Sequence, residues 1–156
     1  MQTRLRLNPV TQDNVRAACK LQLRADQDHL VAPVAWSLAD AYTVPDIAWP
    51  RLIYDGDLLV GFIMAAFAPG HDNPLYRSYL WRLNIGADHQ GKGYGRFAVE
   101  EVCKEAVRRG YHRLTVSYHE GEHGPQEFYR RLGFHPTGEY SFGEAVAERA
   151  LEPTPQ

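Results

Sequence analysis

The sequence predicts an α/β (α+β) fold, a sheet with helices on both faces, from three observations. Short apolar or alternating segments recur along the chain between turns rich in Gly, Pro and Asp, as strands do. Two or three helical patterns lie among these segments rather than in a block of their own. One strand runs through a glycine-rich loop directly into the strongest helical pattern of the chain. No repeat, low-complexity tract or linker interrupts the 156 residues. Residues 1–151 are therefore expected to form one domain, with 152–156 a mobile polar tail.

In order, Arg4 to Leu7 alternates polar and apolar residues and predicts a first strand. Thr11 is placed as an N-cap, with Val10 and Val15 spaced for a hydrophobic staple, so a helix is expected over Gln12 to Leu23. Ser37 and Asp40 resemble a capping box opening a short helix through Tyr42, and Pro45 and Pro50 follow as breakers. Arg51 to Tyr54, the turn Asp55-Gly56-Asp57 and Leu58 to Phe67 predict a β-hairpin. After a loop over 69–74, Tyr79 to Ile85 predicts another strand.

The helix that follows places Ala98, Val99, Val102, Cys103, Ala106 and Val107 on one face, with charged residues opposite and Gly110 as its stop. Arg113 to Tyr118 reads as a strand. Gly124 and Pro125 begin a short helix that Gly133 ends. His135 to Tyr140 and Ala145 to Leu151 read as a closing strand pair.

Composition narrows the function classes. A formal charge of −2, from 17 basic and 19 acidic residues, provides no broad footprint for a nucleic-acid backbone. The longest apolar run, Leu58 to Ala68, has 11 residues, about half of a spanning helix. No membrane partner is expected. Met1, Gln2, Thr3 and Arg4 do not open a secretory h-region, and the expected compartment is the cytoplasm. Cys19 and Cys103, without a CxxC spacing, read as buried reduced thiols.

Gln90-Gly91-Lys92-Gly93-Tyr94-Gly95 lies between a predicted strand and a predicted helix N-terminus. Glycines there let backbone N–H groups converge, the helix dipole adds positive charge, and Lys92 and Arg96 reinforce the sign, so the turn suits a pyrophosphate. The first helical turn carries no carboxylate of its own. A dinucleotide fingerprint needs a third glycine where Arg96 stands, and a Walker loop needs GxxxxGK followed by Ser or Thr. Neither spacing fits.

The pattern that fits is Q/RxxGxG/A, with Gln90, Gly93 and Gly95 in place, and YRRLGF at 129–134 resembles a second motif of the same family. On these two motifs, over about Leu80 to Phe134, the chain resembles the GCN5-related N-acetyltransferase (GNAT) family. More narrowly, SLADAY at 37–42, YDGDLLVGF at 54–62 and DHQGKGYG at 88–95 resemble bacterial spermine/spermidine acetyltransferases. The resemblance implies a GNAT fold with a mixed, mostly antiparallel sheet of about six to seven strands. It implies acetyl-CoA as cosubstrate, held by Gln90, Gly91, Lys92, Gly93, Tyr94, Gly95 and Arg96, with backbone groups of Leu83 and Ile85 along the pantetheine arm. It also implies an amine acceptor, cationic and small as a polyamine is, and is compatible with a homodimer. No metal is expected.

An alkylamine has a pKa near about 10.4, so its neutral form costs about 4 to 5 kcal/mol at pH 7. A carboxylate near the substrate is expected to hold the cation and take the proton. Glu120 and Glu122, just after the strand ending at Tyr118, are the sequence candidates, with Asp28, Asp40 and Glu139 also in contention. Trp81 stands where the family often carries an acid. The resemblance places Tyr129 near the sulfur of coenzyme A, where its phenol can donate a proton or a hydrogen bond to the leaving thiolate. Trp36, Tyr42, Trp49 and Trp81 are candidates for an amine pocket through cation–π contact.

Two readings compete. A coenzyme-binding sensor without turnover is compatible with Trp81 in place of an acid. His119-Glu120-Gly121-Glu122-His123 matches HExxH letter for letter, with Glu144 downstream as a third ligand, which would make a zinc hydrolase. That motif works only where a helix puts both histidines on one face, and Gly121 and Gly124-Pro125 oppose a helix there.

Overall fold

The computed structural model describes residues 4–25 and 31–153. Seven strands form one sheet in the order β1-β2-β3-β4-β5-β7-β6. They are β1 (Leu5–Pro9), β2 (Ala48–Asp55), β3 (Leu58–Phe67), β4 (Ser78–Ile85), β5 (Arg113–Tyr118), β6 (His135–Ser141) and β7 (Glu144–Ala150). The helices are α1 (Val15–Cys19), α2 (Val34–Thr43), α3 (Tyr94–Arg108) and α4 (Gln126–Arg131). All neighbours pair antiparallel except β4 and β5, which the α3 crossover makes parallel. The fold class expected from the sequence is thus the one found.

Strand β3 shows why helices cover both faces. Its side chains alternate, so Ile63, Ala65 and Phe67 join the core under α3 while Phe62 and Met64 join the core under α1 and α2. A strand buried on both faces loses the polar half of its alternation, which is why 58–68 reads as a continuous apolar run. Against the first face α3 lays Ala98, Val99, Val102, Cys103 and Ala106, all buried. Full burial of Val99 or Val102 contributes about 1.5–3 kcal/mol. Arg149 of β7 reaches Glu100 of α3 with a two-pronged contact of 2.8 and 3.1 Å, tying the far half of the sheet to the same helix.

Two features of β4 prepare the site. The strand pairs with β5 only at Tyr79↔Thr115 and Leu80↔Val116, and beyond them the two parallel strands part. Opposite Met64 and Ala65 of β3 stand Arg82 and Leu80, so Trp81 is the extra residue of a β-bulge.

Three local expectations fail. The first helix covers only Val15–Cys19, because Thr11 closes a turn instead of capping: its N–H donates to Asn14 Oδ1, and Asn14 Nδ2 donates to the Pro9 carbonyl. The second helix starts at Val34, directly after Pro33, so Ser37 lies buried inside it and no Ser37 capping box forms. Cys19 is exposed, since its helix buries only Ala18. Of the expected tail, residues 154–156 lie outside the described residues, as do Met1 to Thr3 and Asp28.

Cys103 is buried on α3, and burial pushes its thiol up to about 11. A thiolate is the reactive form. A disulfide-exchange reagent at pH 8 is therefore expected to titrate one thiol, Cys19, in the folded protein and both after denaturation; two fast thiols in the native state would contradict this packing.

Candidate active site

The parting of β4 and β5 opens a cleft of about 1230 Å³. That exceeds the roughly 300–1,000 Å³ usual for one small ligand, and leaves room for a long ligand together with a second one. β4 supplies one wall, through Leu80 to Leu83 and Ile85, and β5 with α4 supplies the other, through Val116, Tyr118, Phe128 and Tyr129. The lining also takes in residues of the 89–96 and 31–36 segments and of the β6–β7 turn.

The glycine-rich loop is built as an anion cradle. Gly91 and Gly93 adopt φ of +76° and +86°, a left-handed conformation most residues resist, and a Cβ added to either would meet no atom within 4 Å. The open side of the loop is therefore free to receive a ligand. Gly93 is the N-cap of α3 with no side-chain cap, and the first turn has no acidic residue, so the N-terminal N–H groups and the dipole are left for an outside anion. Arg96 lines the cleft and has no carboxylate partner among the described residues.

The remaining loop residues divide between binding surface and scaffold. Gln90 donates from Nε2 to the Ile85 carbonyl at 3.1 Å, fixing the loop to the end of β4. Tyr94 turns its ring into the core and its hydroxyl to Asp55 Oδ2 at 2.7 Å, a bond that also raises its pKa. Gly95 is needed for closeness: a Cβ there would lie 3.2 Å from Phe128 and 3.7 Å from Leu83. Lys92 is exposed and does not line the cleft. Leu83 and Ile85 both line it.

Tyr129 lies at the bottom of the β5–α4 wall. Its ring stacks on Tyr118 at 5.5 Å and meets the edges of Phe128 and Phe134, while its hydroxyl makes no hydrogen bond among the described residues. Burial, and then the neighbouring Tyr118, push its pKa well above that of an ordinary phenol. The group stays protonated and is a donor throughout the working range.

The sequence-based acids fall elsewhere. Glu120 accepts a hydrogen bond from the Tyr140 hydroxyl at 3.0 Å, and neither Glu120 nor Glu122 lines the cleft. Glu139 is exposed on β6 away from it, and Asp40 pairs with Arg82. Among the described residues the carboxylate that lines the cleft is Glu144, at the start of β7, and His119 and His123 also belong to the lining. Of the aromatic candidates, Trp36 and Trp81 line the cleft, whereas Tyr42 is 85% exposed elsewhere and Trp49 packs against Phe67.

Sequence reasoning gave no role to His71, Tyr76 and Tyr79, which line the cleft from the 71–79 segment, or to Phe142 at its mouth. Phe142 is fully exposed and has a φ of +50°, a conformation costing a bulky residue on the order of 1–3 kcal/mol. Nothing in the one-letter code marks that strain. The 119–123 run forms a bend and turn rather than a helix, so the HExxH spacing does not bring its histidines to one helical face. No group of three or more His, Cys, Asp and Glu able to hold a metal occurs among the described residues.

Comparisons with known proteins agree with this architecture. No curated protein sequence matches the chain. A domain from Methanocaldococcus jannaschii DSM 2661 superposes with a TM-score of 0.73 at 17% identity, over 96% of this chain and 100% of that one. A GNAT family acetyltransferase from Elizabethkingia anophelis, solved with acetyl-CoA bound, gives 0.65 at 15% identity over 96% and 100%. A PaiA N-acetyltransferase from Thermoplasma acidophilum, in complex with coenzyme A, gives 0.70 at 12% identity over 94% and 98%. At these identities the likeness establishes the fold. The family follows from sequence: the profile of the Acetyltransferase (GNAT) family matches residues 15–134, and the chain belongs to that family of acetyltransferases.

Proposed function

We propose that the protein moves the acetyl group of acetyl-CoA to a primary amine by direct attack. The amine nitrogen bonds to the thioester carbonyl carbon, the C–S bond breaks, the sulfur leaves as the coenzyme A thiolate, and the proton that the amine loses passes to a carboxylate. The observation that carries the reading is the cleft itself: an uncapped, acid-free helix N-terminus at one end and the unbonded Tyr129 hydroxyl on its wall. The solved neighbours that hold acetyl-CoA or coenzyme A support the same ligand.

In this reading the N–H groups of Gly91 to Arg96 and the Arg96 guanidinium hold the pyrophosphate, and Leu83 and Ile85 flank the pantetheine arm. When bound, the coenzyme supplies an activated acyl carbon. The chain's part is to orient it, exclude water along the Leu83, Phe128 and Tyr129 surface, and place a donor at the departing sulfur. Glu144 is better placed than Glu120 or Glu122 to receive the amine proton, since it faces the cleft and Glu120 is engaged by Tyr140.

A polyamine acceptor rests on the segments at 37–42, 54–62 and 88–95. Among the described residues the lining carries two arginines and one carboxylate, which gives a polycation little support. The testing experiment is thiol release from acetyl-CoA across a panel of amines. Turnover with at least one class well above the hydrolysis rate is expected. Tight coenzyme binding with silence for every amine would replace the enzyme by a coenzyme-binding sensor.

A further inference from the structure

The cleft wall carries one cation that the coenzyme does not need. Arg82 follows the bulge at Trp81 and lies opposite Met64, on the sheet face covered by α1 and α2, and lines the cleft. Its side chain is 23% exposed. Nη1 donates to the Trp81 carbonyl at 3.2 Å and Nη2 to Asp40 Oδ2 at 3.3 Å, while Nε is buried without a partner. A guanidinium has five N–H donors in a planar fork, and these contacts use two. A buried donor left unmet is unfavourable, more so when it belongs to a charged group.

Asp40 does not satisfy this group. The contact is single rather than forked, and the Asp40 side chain is 50% exposed, so the pair is of the kind that contributes little. The layer between β4 and α2 has further unmet polar capacity, in Ser37 Oγ and Asn84 Oδ1, both buried. Trp81 supports the guanidinium from its ring face, with Arg82 Cζ 5.4 Å from the centroid. The arrangement is a planar donor in the cleft lining, held by an aromatic ring, with donors to spare.

We propose that the acceptor is a small amine that also carries a carboxylate, and that Arg82 binds that carboxylate while the amine attacks the thioester. The proposal rests on the acetyltransfer reading above. A carboxylate matches the fork with two parallel hydrogen bonds, whereas a polyamine would bring like charge to it. A phosphate dianion would sit beside Asp40 with greater repulsion than a monoanion does. In a polypeptide N-terminus the α-carboxylate has been consumed in an amide, so a small molecule is the occupant.

The test compares matched acceptors, amino acids against their carboxamides and their decarboxylated amines, with the wild-type enzyme and with Arg82→Gln and Arg82→Lys. Wild type is expected to favour the acid by about tenfold or more in kcat/KM, mainly through KM. Arg82→Gln should bring the ratio close to one, and Arg82→Lys should keep part of the preference. The wild-type ratio stands on its own if a variant fails to fold. A preference for the carboxamide, the decarboxylated amine or a peptide with the same first residue would overturn the proposal, as would an unchanged ratio in Arg82→Gln. Silence with every amine would instead defeat the acetyltransfer reading, and the proposal with it.

Discussion

Gly93→Asp is expected to weaken coenzyme A binding by about 30- to 200-fold without lowering the melting temperature, and Gly93→Asn by less than about tenfold. Gly93 has a φ of +86° and open space where a Cβ would go. Asp and Asn are the side-chain-bearing residues that tolerate this conformation best, and neither meets a steric obstacle. They differ in charge alone. A carboxylate about 4 Å from a phosphate costs on the order of 4 kcal/mol at an effective dielectric of about 20, and less where solvent enters, so a net loss of about 2–3 kcal/mol is reasonable. At the N-cap of α3 the same carboxylate favours the helix, so stability should hold or rise while affinity falls. Calorimetric titration of the two variants with coenzyme A, alongside thermal melts, checks this. Equal affinities for Asp and Asn would show that no anion sits at this turn.

Tyr129→Phe is expected to lower kcat by about 10- to 100-fold with coenzyme affinity and melting temperature near wild type. Phenylalanine keeps the ring contacts with Tyr118, Phe128 and Phe134, and the hydroxyl it lacks bonds to none of the described residues. At reference pKa values of about 10 for tyrosine and 8.5 for a thiol, proton transfer to the leaving thiolate is already uphill by about 2 kcal/mol. Burial raises the phenol further, so the hydroxyl serves as a hydrogen-bond donor to sulfur rather than as a proton source. A hydrogen bond to a charged group is worth about 1.5–3 kcal/mol, which gives the fold-change quoted. Because the pKa is raised, the neutral phenol persists as pH rises, and the alkaline limb of the pH–rate profile should be the same in both proteins. An unchanged kcat would remove Tyr129 from the chemistry.

The strands were legible because their signals are local. Leu58–Phe67, Arg113–Tyr118 and the start of β6 at His135 fall where the apolar pattern and turn residues put them. Helix starts were less legible. Thr11 and Ser37 have the side chains of caps, but Asn14 and Pro33 open α1 and α2, because competing side-chain bonds at a turn are decided by geometry over several residues. In the site, the loop from Gln90 to Gly95 stood out because its glycines serve backbone requirements that few other residues meet. Glu120 and Glu122 are near Tyr129 along the chain, yet neither lines the cleft. Nearness in sequence does not say which way a turn faces.

One part of the cleft is legible from sequence alone: a loop, a helix and a tyrosine motif whose spacing is read in order along about fifty residues. That is possible because the anion cradle is a local backbone structure. The rest of the cleft is a product of the tertiary structure, which brings Arg82 of β4, Trp36 of α2, His71 and Glu144 of β7 to its lining from distant parts of the chain. Their convergence depends on two strands ceasing to pair after Leu80 and Val116 and on one extra residue at Trp81. Strand register and bulges are settled by packing across the whole sheet, and no short window of sequence contains them.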